Sequence, residues 1–412
     1  MDKEILDGLK PHEGVTELEI FFYKGISFPD WITDSSLFLN LQTIRLESCT
    51  NLQALPPLGQ LPSLKCLKLF YLDSIKMIDH CLYGSNERAF PALTHFTCYC
   101  LKSCGEWTQP TNVSRFFPIL STLKILHNDA LRKVPFHCFS ASLTALILDG
   151  CHNLNSLAVS LHHLTSLNRL DIQNYRVSIS LNTNALMFLE DLVLRNCSKL
   201  SIEGDLQSLT NLKSLEIKSC PYLMSNSMHD ITNKQKGKNL EVDQPKGLQS
   251  LFDLTIDQSL LHNDYHSILG RLPSLRFLHC EGSEQRQFTM DQTLWFQELT
   301  SLQELTFCCC YKFTQLPSSL VTLPSLRKLK LYECANLESL PENGMPAFLW
   351  ELALDKCSQN LVQRCQPGGE DWQLIAHVPF IRIDGKVIGR QQSPAGKSLY
   401  WLGLASGGGY IE

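Results

Sequence analysis

Apolar and polar positions alternate in a short block that recurs along most of the chain. The block has the form Leu-x-x-Leu-x-Leu-x-x-Cys-x-x-Leu, and one clear copy consists of Leu41, Ile44, Leu46, Cys49 and Leu52. The central Leu-x-Leu unit has a period of two, so both of its apolar side chains point to the same face of a short β-strand. The pattern therefore predicts one strand per block, with its apolar face turned inward.

About fourteen blocks are present, at a spacing of roughly 22 to 29 residues. Clear copies open at Leu41, Leu143, Leu189, Leu212 and Leu326, and looser copies open at Leu18, Leu64, Leu93, Leu120, Leu167, Leu251, Leu275, Leu302 and Leu349. One block cannot bury its own leucines, whereas a stack of blocks can. The sequence thus predicts an α/β repeat solenoid, a leucine-rich repeat horseshoe with a parallel β-sheet on its concave face. Proline in the Leu-Pro segments cannot donate a hydrogen bond to a β-ladder, which predicts a mostly irregular or short-helical convex side.

The repeat is interrupted at three places and stops before the C-terminus. The longest interruption contains a polar run at 233–239, which predicts an exposed loop at about 224–247. Shorter interruptions lie at 71–90 and 104–117. We expect a repeat domain over 1–361, a capping segment with a terminal strand over 362–385, and a disordered tail over 386–412.

The seventeen cysteines are best explained as parts of the repeat. The third position after the second strand leucine is often cysteine, and a small thiol is readily buried there. Two groups, residues 95–104 and residues 308–310, have residue types that could bind a metal ion. The pattern puts Cys98 and Cys308 at exposed strand positions, however, and Cys310 at the cysteine position of the repeat. The sequence therefore predicts no metal site.

Composition and charge argue against several classes of function. A net charge of −5 indicates no basic surface for nucleic acid. The chain has no run of 18 or more apolar residues, which predicts no membrane span. The first residues are charged and lack the apolar core of a secretory signal, so the expected compartment is the cytoplasm, with reduced thiols. No nucleophile–base pair is recognisable, and we predict neither an enzyme nor a bound cofactor.

Several segments resemble the repeat region of plant intracellular immune receptors, the coiled-coil, nucleotide-binding, leucine-rich repeat disease resistance proteins. They are residues 5–12, residues 28–32, residues 55–64 (Leu-Pro-Pro-Leu-Gly-Gln-Leu-Pro-Ser-Leu), residues 370–372, residues 375–379 and residues 383–385. The resemblance implies a role in defence, in which the repeats sense a pathogen effector and restrain a nucleotide-binding switch. The family's coiled coil and nucleotide-binding module would precede the repeats. We therefore expect a repeat-only fragment, a truncated gene product or a paired partner.

Two short motifs suggest nucleotide binding but fit it poorly. Residues 389–398 end like a phosphate-binding loop, yet Gln391 replaces the first glycine of that motif. Met228, His229 and Asp230 match the switch tripeptide of the family, which precedes the repeats there and lies among them here. We treat both motifs as coincidences.

Residues that flank the paired leucines should face the concave side of the sheet. Exposed aromatic rings and cations are frequent anchors of protein interfaces. The candidate partner-binding residues are Phe21, Phe70, Tyr99, Lys330, Tyr332 and Trp350. The expected partner is a protein: a pathogen effector, a guarded host protein or a nucleotide-binding immune-receptor module.

Other functions of such repeats lack their accompanying features in this sequence. The main alternative is the substrate-binding subunit of a ubiquitin-ligase adaptor, which would need a helical recruiting module before the repeats. Residues 1–18 are too few to hold one. An extracellular receptor would need a signal peptide and paired capping cysteines, and we recognise neither. The immune-receptor interpretation is therefore preferred.

Overall fold

The computed structural model describes residues 2–34, 36–84, 88–109, 115–139, 142–155, 157, 161–223, 248–257, 271–282, 286 and 290–390. Its strands, in chain order, are β1 Glu17–Phe21, β2 Thr43–Glu47, β3 Cys66–Phe70, β4 Met77–Ile78, β5 Arg88–Ala89, β6 His95–Tyr99, β7 Glu106–Trp107, β8 Arg115–Phe116, β9 Thr122–Leu126, β10 Ala145–Asp149, β11 Arg169–Gln173, β12 Ile179–Asn182, β13 Asp191–Arg195, β14 Leu200–Glu203, β15 Ser214–Lys218, β16 Asp253–Asp257, β17 Phe277–Glu281, β18 Glu304–Cys308, β19 Lys328–Tyr332, β20 Glu351–Asp355, β21 Phe380–Ile383 and β22 Lys386–Arg390.

One large sheet dominates the described part of the chain. It contains sixteen strands in the order β1-β2-β3-β6-β9-β10-β11-β13-β15-β16-β17-β18-β19-β20-β21-β22. Neighbouring strands are parallel except for the last pair, β21 and β22. The first fourteen strands of this order each contain the Leu-x-Leu unit of one sequence block or its equivalent. The predicted leucine-rich repeat solenoid is confirmed.

The core lies directly beneath this sheet and is built from the alternating apolar residues. In β2, Ile44 and Leu46 are fully buried, while the three residues around them remain partly exposed. Strand pairing places Ile44 beside Leu67 and Leu46 beside Leu69 of β3. Each fully buried leucine contributes about 1.5 to 3 kcal/mol. Because that burial comes from neighbouring repeats, stacking stabilises every unit.

The prediction that Cys98 is exposed is wrong. Strand β6 has the sequence His-Phe-Thr-Cys-Tyr, and Cys98 is 2% exposed. Phe96 pairs in register with Leu67, and Cys98 pairs with Leu69, so the cysteine occupies the second inward position of its block. The first inward position of the same strand is filled by the Phe96 ring, which packs against Trp107 at 5.1 Å.

The second residue after many of these strands links neighbouring repeats through a side-chain hydrogen bond. The Cys151 thiol donates to the carbonyl of Ile125 in the preceding repeat at 3.3 Å. The Cys197 thiol donates in the same way to Ile172 at 3.4 Å. The thiols that repeat this contact belong to Cys49, Cys220, Cys310, Cys334 and Cys357. These cysteines therefore have a structural role in the solenoid.

The first residue after each repeat strand adopts a left-handed backbone conformation wherever the structure describes it. Phe22 has φ of 55°, and the others are Ser48, Tyr71, Cys100, His127, Gly150, Asn174, Asn196, Ser219, Gly282, Cys309, Glu333 and Lys356. This residue ends the strand, but its backbone N–H still donates to a carbonyl of the next repeat. The N–H of Phe22, for example, donates to the carbonyl of Glu47 at 3.0 Å. An L-residue in this region costs roughly 1 to 2 kcal/mol. Most repeats therefore contain a strained residue that the ladder holds in place.

Replacing Phe22 by glycine is expected to raise the free energy of unfolding by roughly 1 kcal/mol, because glycine removes this strain. Phe22 is 67% exposed, so little packing is lost. The matched change Gly282→Ala should lower the free energy of unfolding by a similar amount, because φ is +59° there. A new Cβ would meet no atom within 4 Å, so the loss would come from the backbone conformation and not from a clash. Urea unfolding of both variants measures the effect. A destabilised Phe22→Gly variant beside a neutral Gly282→Ala variant would contradict the strain argument.

Short helices and turns carry the chain back over the convex side, as predicted. The 3-10 helices are Asp30–Thr33, Leu58–Gln60, Phe136–Phe139, Leu161–His163, Thr183–Leu186, Leu206–Ser208 and Ser318–Thr322. The α-helices are α1 Asp2–Asp7, α2 His80–Tyr83, α3 Met290–Glu298, α4 Gln359–Arg364 and α5 Trp372–Ile375. Proline directly precedes the 3-10 helices that begin at Leu58 and Ser318. Its missing N–H costs nothing at a helix start, because the first N–H groups there have no partner within the helix. Among the described residues, no helix has the length and apolarity needed to cross a membrane.

The two interruptions near the N-terminal side form paired insertions. Strand β4 pairs with β7, and β5 pairs with β8, so the segments at 71–90 and 104–117 are built against each other. Beneath them, the rings of Phe90 and Phe117 stack at 4.9 Å. The Trp107 indole N–H donates to the Tyr83 hydroxyl at 2.5 Å. This aromatic core compensates for the missing repeat leucines.

The C-terminal end is closed by α4, α5, β21 and β22. The buried Asp371 carboxylate accepts a hydrogen bond from the N–H of Leu340 at 2.9 Å and pairs with Arg364 at 2.7 Å. These contacts attach the capping segment to the last repeat. The structure differs from the predicted boundaries in two ways, since α4 crosses position 361 and β22 continues the sheet beyond 385. Strand β22 can extend the sheet because it turns back along β21.

Several sequence predictions fall outside the described residues. They are the loop at 224–247 with its switch-like tripeptide Met228 to Asp230, and the tail from 391 to 412, which contains most of the loop-like motif ending at Ser398.

Candidate functional site

The fourteen repeat strands present their first, third and fifth residues on the concave side. Because neighbouring strands pair without offset, these residues form three rows across the sheet. We call them the leading, middle and trailing rows. In β2 they are occupied by Thr43, Arg45 and Glu47, which are all partly exposed. The concave side is therefore the part of the solenoid with the most regular array of accessible side chains.

Three of the predicted binding residues come together at the N-terminal end of the trailing row. They are Phe21, Phe70 and Tyr99, on strands β1, β3 and β6. The Arg45 guanidinium lies between the first two rings, 5.5 Å from the centroid of Phe21 and 4.9 Å from that of Phe70. The Phe70 and Tyr99 rings lie 5.7 Å apart. We call these four residues the aromatic–arginine stack.

Sequence reasoning missed Arg45 and two flanking rings. Tyr71 contacts Tyr99 at 5.1 Å between ring centroids, and His127 contacts Tyr99 at 5.3 Å. Both flanking residues directly follow a strand, where alternation predicts the inward face. Their left-handed conformation breaks the alternation, and their rings reach Tyr99 on the concave side. The recurring first position after each strand was the signal that could have identified them.

The arginine of the stack is held from a third side. The Arg45 Nε donates to one carboxylate oxygen of Glu47 at 2.7 Å, and the Arg45 Nη2 lies 2.5 Å from the same oxygen. Cation–π contacts with two rings add about 0.5 to 1 kcal/mol each at an accessible site. The guanidinium is thus oriented before any partner arrives, which reduces the entropy lost on binding.

Strands β3, β6 and β9 carry basic side chains on their concave side. The nine concave positions of β3, β6 and β9 include Lys68, Lys124 and His95 and contain no carboxylate. Both lysines belong to the middle row, beside the stack. This part of the face therefore combines apolar rings with positive charge.

The centre of the concave face is electrostatically paired within itself. Arg195 binds Glu216 through two contacts of 2.6 and 2.5 Å, and Lys218 pairs with Glu281 at 2.5 Å. Burial raises the pKa of the Glu216 carboxyl, but hydrogen bonds from Arg195 and the charge of Lys218 outweigh it and leave that pKa below its usual value. Burial, with the charge of Glu216, raises the pKa of Asp253. The four side chains of these two ion pairs already have partners and offer little to a ligand.

The other three predicted residues lie near the C-terminal end of the sheet. Lys330 is in the middle row of β19, and its ammonium group contacts the Glu304 carboxylate at 2.5 Å. Tyr332 is in the trailing row of the same strand. Trp350 lies one residue before β20, is 49% exposed, and packs against Phe380 of the capping segment at 5.3 Å. Phe380 was not predicted, because it lies outside the repeats.

The two groups of candidate residues are far apart on the sheet. From β6 to β19 there are nine strand spacings, or about 43 Å along the sheet at roughly 4.8 Å per spacing. The structure therefore brings Phe21, Phe70 and Tyr99 into one surface and leaves Lys330, Tyr332 and Trp350 in another.

One group of potential metal ligands lies on the convex side. Within the described residues, Asp79, His80 and Cys81 place one ligand atom each within 4.8 Å of the others. The Asp79 carboxylate also accepts a hydrogen bond from the Cys81 N–H at 3.0 Å at the start of α2. This capping interaction accounts for its position without a metal ion.

Known proteins with similar sequences have related repeats. The family described as R13L1/DRL21 LRRs matches residues 1–72. A putative disease resistance protein of Arabidopsis thaliana is 26% identical over 421 residues, which cover 89% of this chain and 29% of that protein. The putative disease resistance RPP13-like protein 1 of the same plant is 28% identical over 260 residues, with 54% and 24% covered.

A third relative comes from another plant. The disease resistance protein RGA2 of Solanum bulbocastanum is 30% identical over 186 residues, which cover 38% of this chain and 19% of that protein. The chain thus spans less than a third of the length of each of these three relatives.

Proposed function

We propose that this chain, a leucine-rich repeat region related to those of plant disease resistance proteins, recognises a protein partner through its concave sheet in plant defence. The observation that supports this most strongly is the aromatic–arginine stack. Aromatic and arginine side chains are enriched among the residues that dominate binding energy at protein interfaces. The stack presents both types on a regular sheet, with the arginine already oriented by Glu47.

The second group, Lys330, Tyr332 and Trp350, is proposed as a further contact region for the same or another partner. Trp350 and Phe380 offer an exposed aromatic pair at the end of the array. Lys330 is a weaker candidate because its charge is already paired with Glu304. All six predicted residues therefore remain in the proposal, with the N-terminal three ranked first.

The partner classes that we propose are a pathogen effector, a guarded host protein or a nucleotide-binding module that the repeats would restrain. All of them would meet the chain in the cytoplasm. Seventeen free thiols suit a reducing compartment. The role is one of binding rather than catalysis. A ubiquitin-ligase adaptor is not favoured, since the relatives are named as disease resistance proteins.

Substitution in the stack should weaken partner binding without unfolding the chain. Tyr99→Ala and Arg45→Ala are each expected to reduce affinity at least about tenfold, or about 1.4 kcal/mol, as anchor residues do. The measurement is quantitative capture of candidate effectors and of a nucleotide-binding module, with unfolding curves run in parallel. The matched control is Thr255→Ala, which changes a middle-row residue of β16 far from the stack. A partner that is lost with Thr255→Ala but kept by both stack variants would place the binding surface elsewhere.

A further inference from the structure

The concave rows carry eight lysine and arginine side chains, and these fall into two kinds. Six pair with a carboxylate of their own or a nearby strand: Arg45, Arg169, Arg195, Lys218, Lys328 and Lys330. The other two are Lys68 and Lys124. In the part of the chain that the structure describes, neither of their ammonium groups pairs with a carboxylate. These two lysines are thus the cations of this set that remain available to a ligand.

Both lysines lie in the middle row, on two strands that have one other strand between them. Lys68 is on β3 and Lys124 is on β9, with Thr97 of β6 between them. Two strand spacings of about 4.8 Å place the two positions about 10 Å apart. Both side chains are partly exposed, as is Arg45 on the other side of Lys68. The middle row thus presents a short line of positive charge.

The trailing row beside this line is apolar. On the same three strands it consists of Phe70, Tyr99 and Leu126, which are all partly exposed. The two rows lie two residues apart along each strand, or about 6.6 Å. A ligand between the rows would therefore meet positive charge on one side and apolar side chains on the other.

We propose that this surface binds an acidic segment of the protein partner, in which carboxylates face the middle row and apolar side chains face the trailing row. The inference rests on the proposed function and names the chemistry of the partner at the same site. In an extended segment, successive side chains point to opposite sides. A segment in which aspartate or glutamate alternates with apolar residues would therefore place its carboxylates beside Lys68 and Lys124. Its apolar side chains would lie against the rings of Phe70 and Tyr99.

The positive charge is confined to a short stretch, which favours a protein segment over a long polyanion. In the middle row, Glu19 on β1 and Asp171 on β11 border the basic stretch. In the trailing row, Glu47 and Asp149 border the apolar residues. A nucleic acid that followed either row would pass over these carboxylates, whose charge repels phosphate groups. A short acidic segment would fit between them.

The lysines and the aromatic rings have different roles in this binding. Within the described structure, Lys68 and Lys124 have no ion pair to give up, whereas Lys218 would have to leave Glu281. Charge complementarity mainly raises the association rate and excludes partners of the wrong charge. Aromatic anchors contribute affinity when a partner buries them. The lysines should therefore decide which segment binds, and the aromatic–arginine stack how tightly it is held.

Fluorescence polarisation with the full chain and a labelled peptide of alternating aspartate and leucine tests the proposal. We expect saturable binding that weakens as salt is added, because salt screens exposed charges. Lys68→Gln and Lys124→Gln should each weaken binding of this peptide about two- to fivefold, and the double variant about fivefold or more. A peptide with asparagine in place of aspartate should bind the unchanged chain about fivefold or more weakly for the same reason.

Two control variants separate the effect of charge from that of folding. The Lys68→Arg/Lys124→Arg variant keeps both charges and should bind the aspartate peptide within about twofold of the unchanged chain. Lys218→Gln removes a cation that is already paired, in the centre of the face, and should not change binding. Urea unfolding identifies any variant that fails to fold, and the asparagine peptide on the unchanged chain then provides the decisive comparison.

Three results would overturn the proposal: no saturable binding of the aspartate peptide, equal binding of the asparagine peptide, or equal binding by the glutamine double variant. Tighter binding of an oligouridylate that displaces the peptide would also overturn it, since the surface would then bind a nucleic acid. The proposed function is tested separately. A natural partner that is lost with Tyr99→Ala but bound equally by the glutamine double variant would contradict the acidic segment and leave recognition through the stack in place.

Discussion

Truncating Leu329 to alanine is expected to lower the free energy of unfolding by about 2 to 5 kcal/mol, the range for a fully buried leucine. Leu329 is 0% exposed in β19, between Leu305 of β18 and Leu352 of β20. Leu192 has the same position in the middle of the array, and Leu192→Ala should cost a similar amount. Urea unfolding measures both losses.

The damage should also be local, because each repeat contacts mainly its neighbours. Hydrogen exchange should show faster amide exchange around β13 for Leu192→Ala, with less change in the capping segment. The matched control is Lys330→Ala, next to Leu329 but on the concave side, which should cost no more than about 1 kcal/mol for its accessible ion pair with Glu304. If Lys330→Ala were the more damaging change, the assignment of the two faces would be reversed.

Asn128→Ala is expected to cost about 2 to 6 kcal/mol, since it leaves two buried backbone groups without partners at about 1 to 3 kcal/mol each. Asn128 is 1% exposed and occupies the position where other repeats have cysteine. Its carbonyl oxygen accepts from the N–H of Leu101 at 2.8 Å, and its amide donates to the carbonyl of Cys98 at 3.0 Å. Thermal and urea unfolding provide the measurement.

Cys151→Ala serves as the comparison for Asn128→Ala. Cys151 has the equivalent position in the next repeat, and its thiol donates weakly to the carbonyl of Ile125. We expect this change to cost about 1 kcal/mol, a typical value for a single substitution. Equal losses in the two variants would show that the asparagine amide adds nothing beyond what a thiol provides.

The repeat spacing was sufficient to predict the strands and their inward residues. Leu192 and Leu329 are buried because each block meets the same local requirement, namely two apolar side chains on one face of a strand. That requirement depends on residues a few positions apart, so it can be recognised in the sequence alone. The concave positions of Phe21, Phe70 and Tyr99 follow from the same alternation.

Elements that depend on contacts between distant segments were harder to predict. The sequence pattern predicts an exposed Cys98, whereas its pairing with Leu69 shows that its side chain points inward. The interruption at 71–90 has no repeat pattern, and its strands form because the segment at 104–117 lies beside them.

The sequence by itself determined the solenoid, its parallel sheet and its concave face, because a periodic pattern of apolar residues has one efficient way to be buried. Tertiary structure decided which side chains on that face meet. Arg45 lies between Phe21 and Phe70 because three strands stack in register, and Trp350 meets Phe380 because the capping segment folds against the last repeat. Cys308 and Cys309 share one side because a left-handed turn breaks the strand alternation between them. Such contacts depend on the positions of whole strands and turns, which a local spacing does not specify.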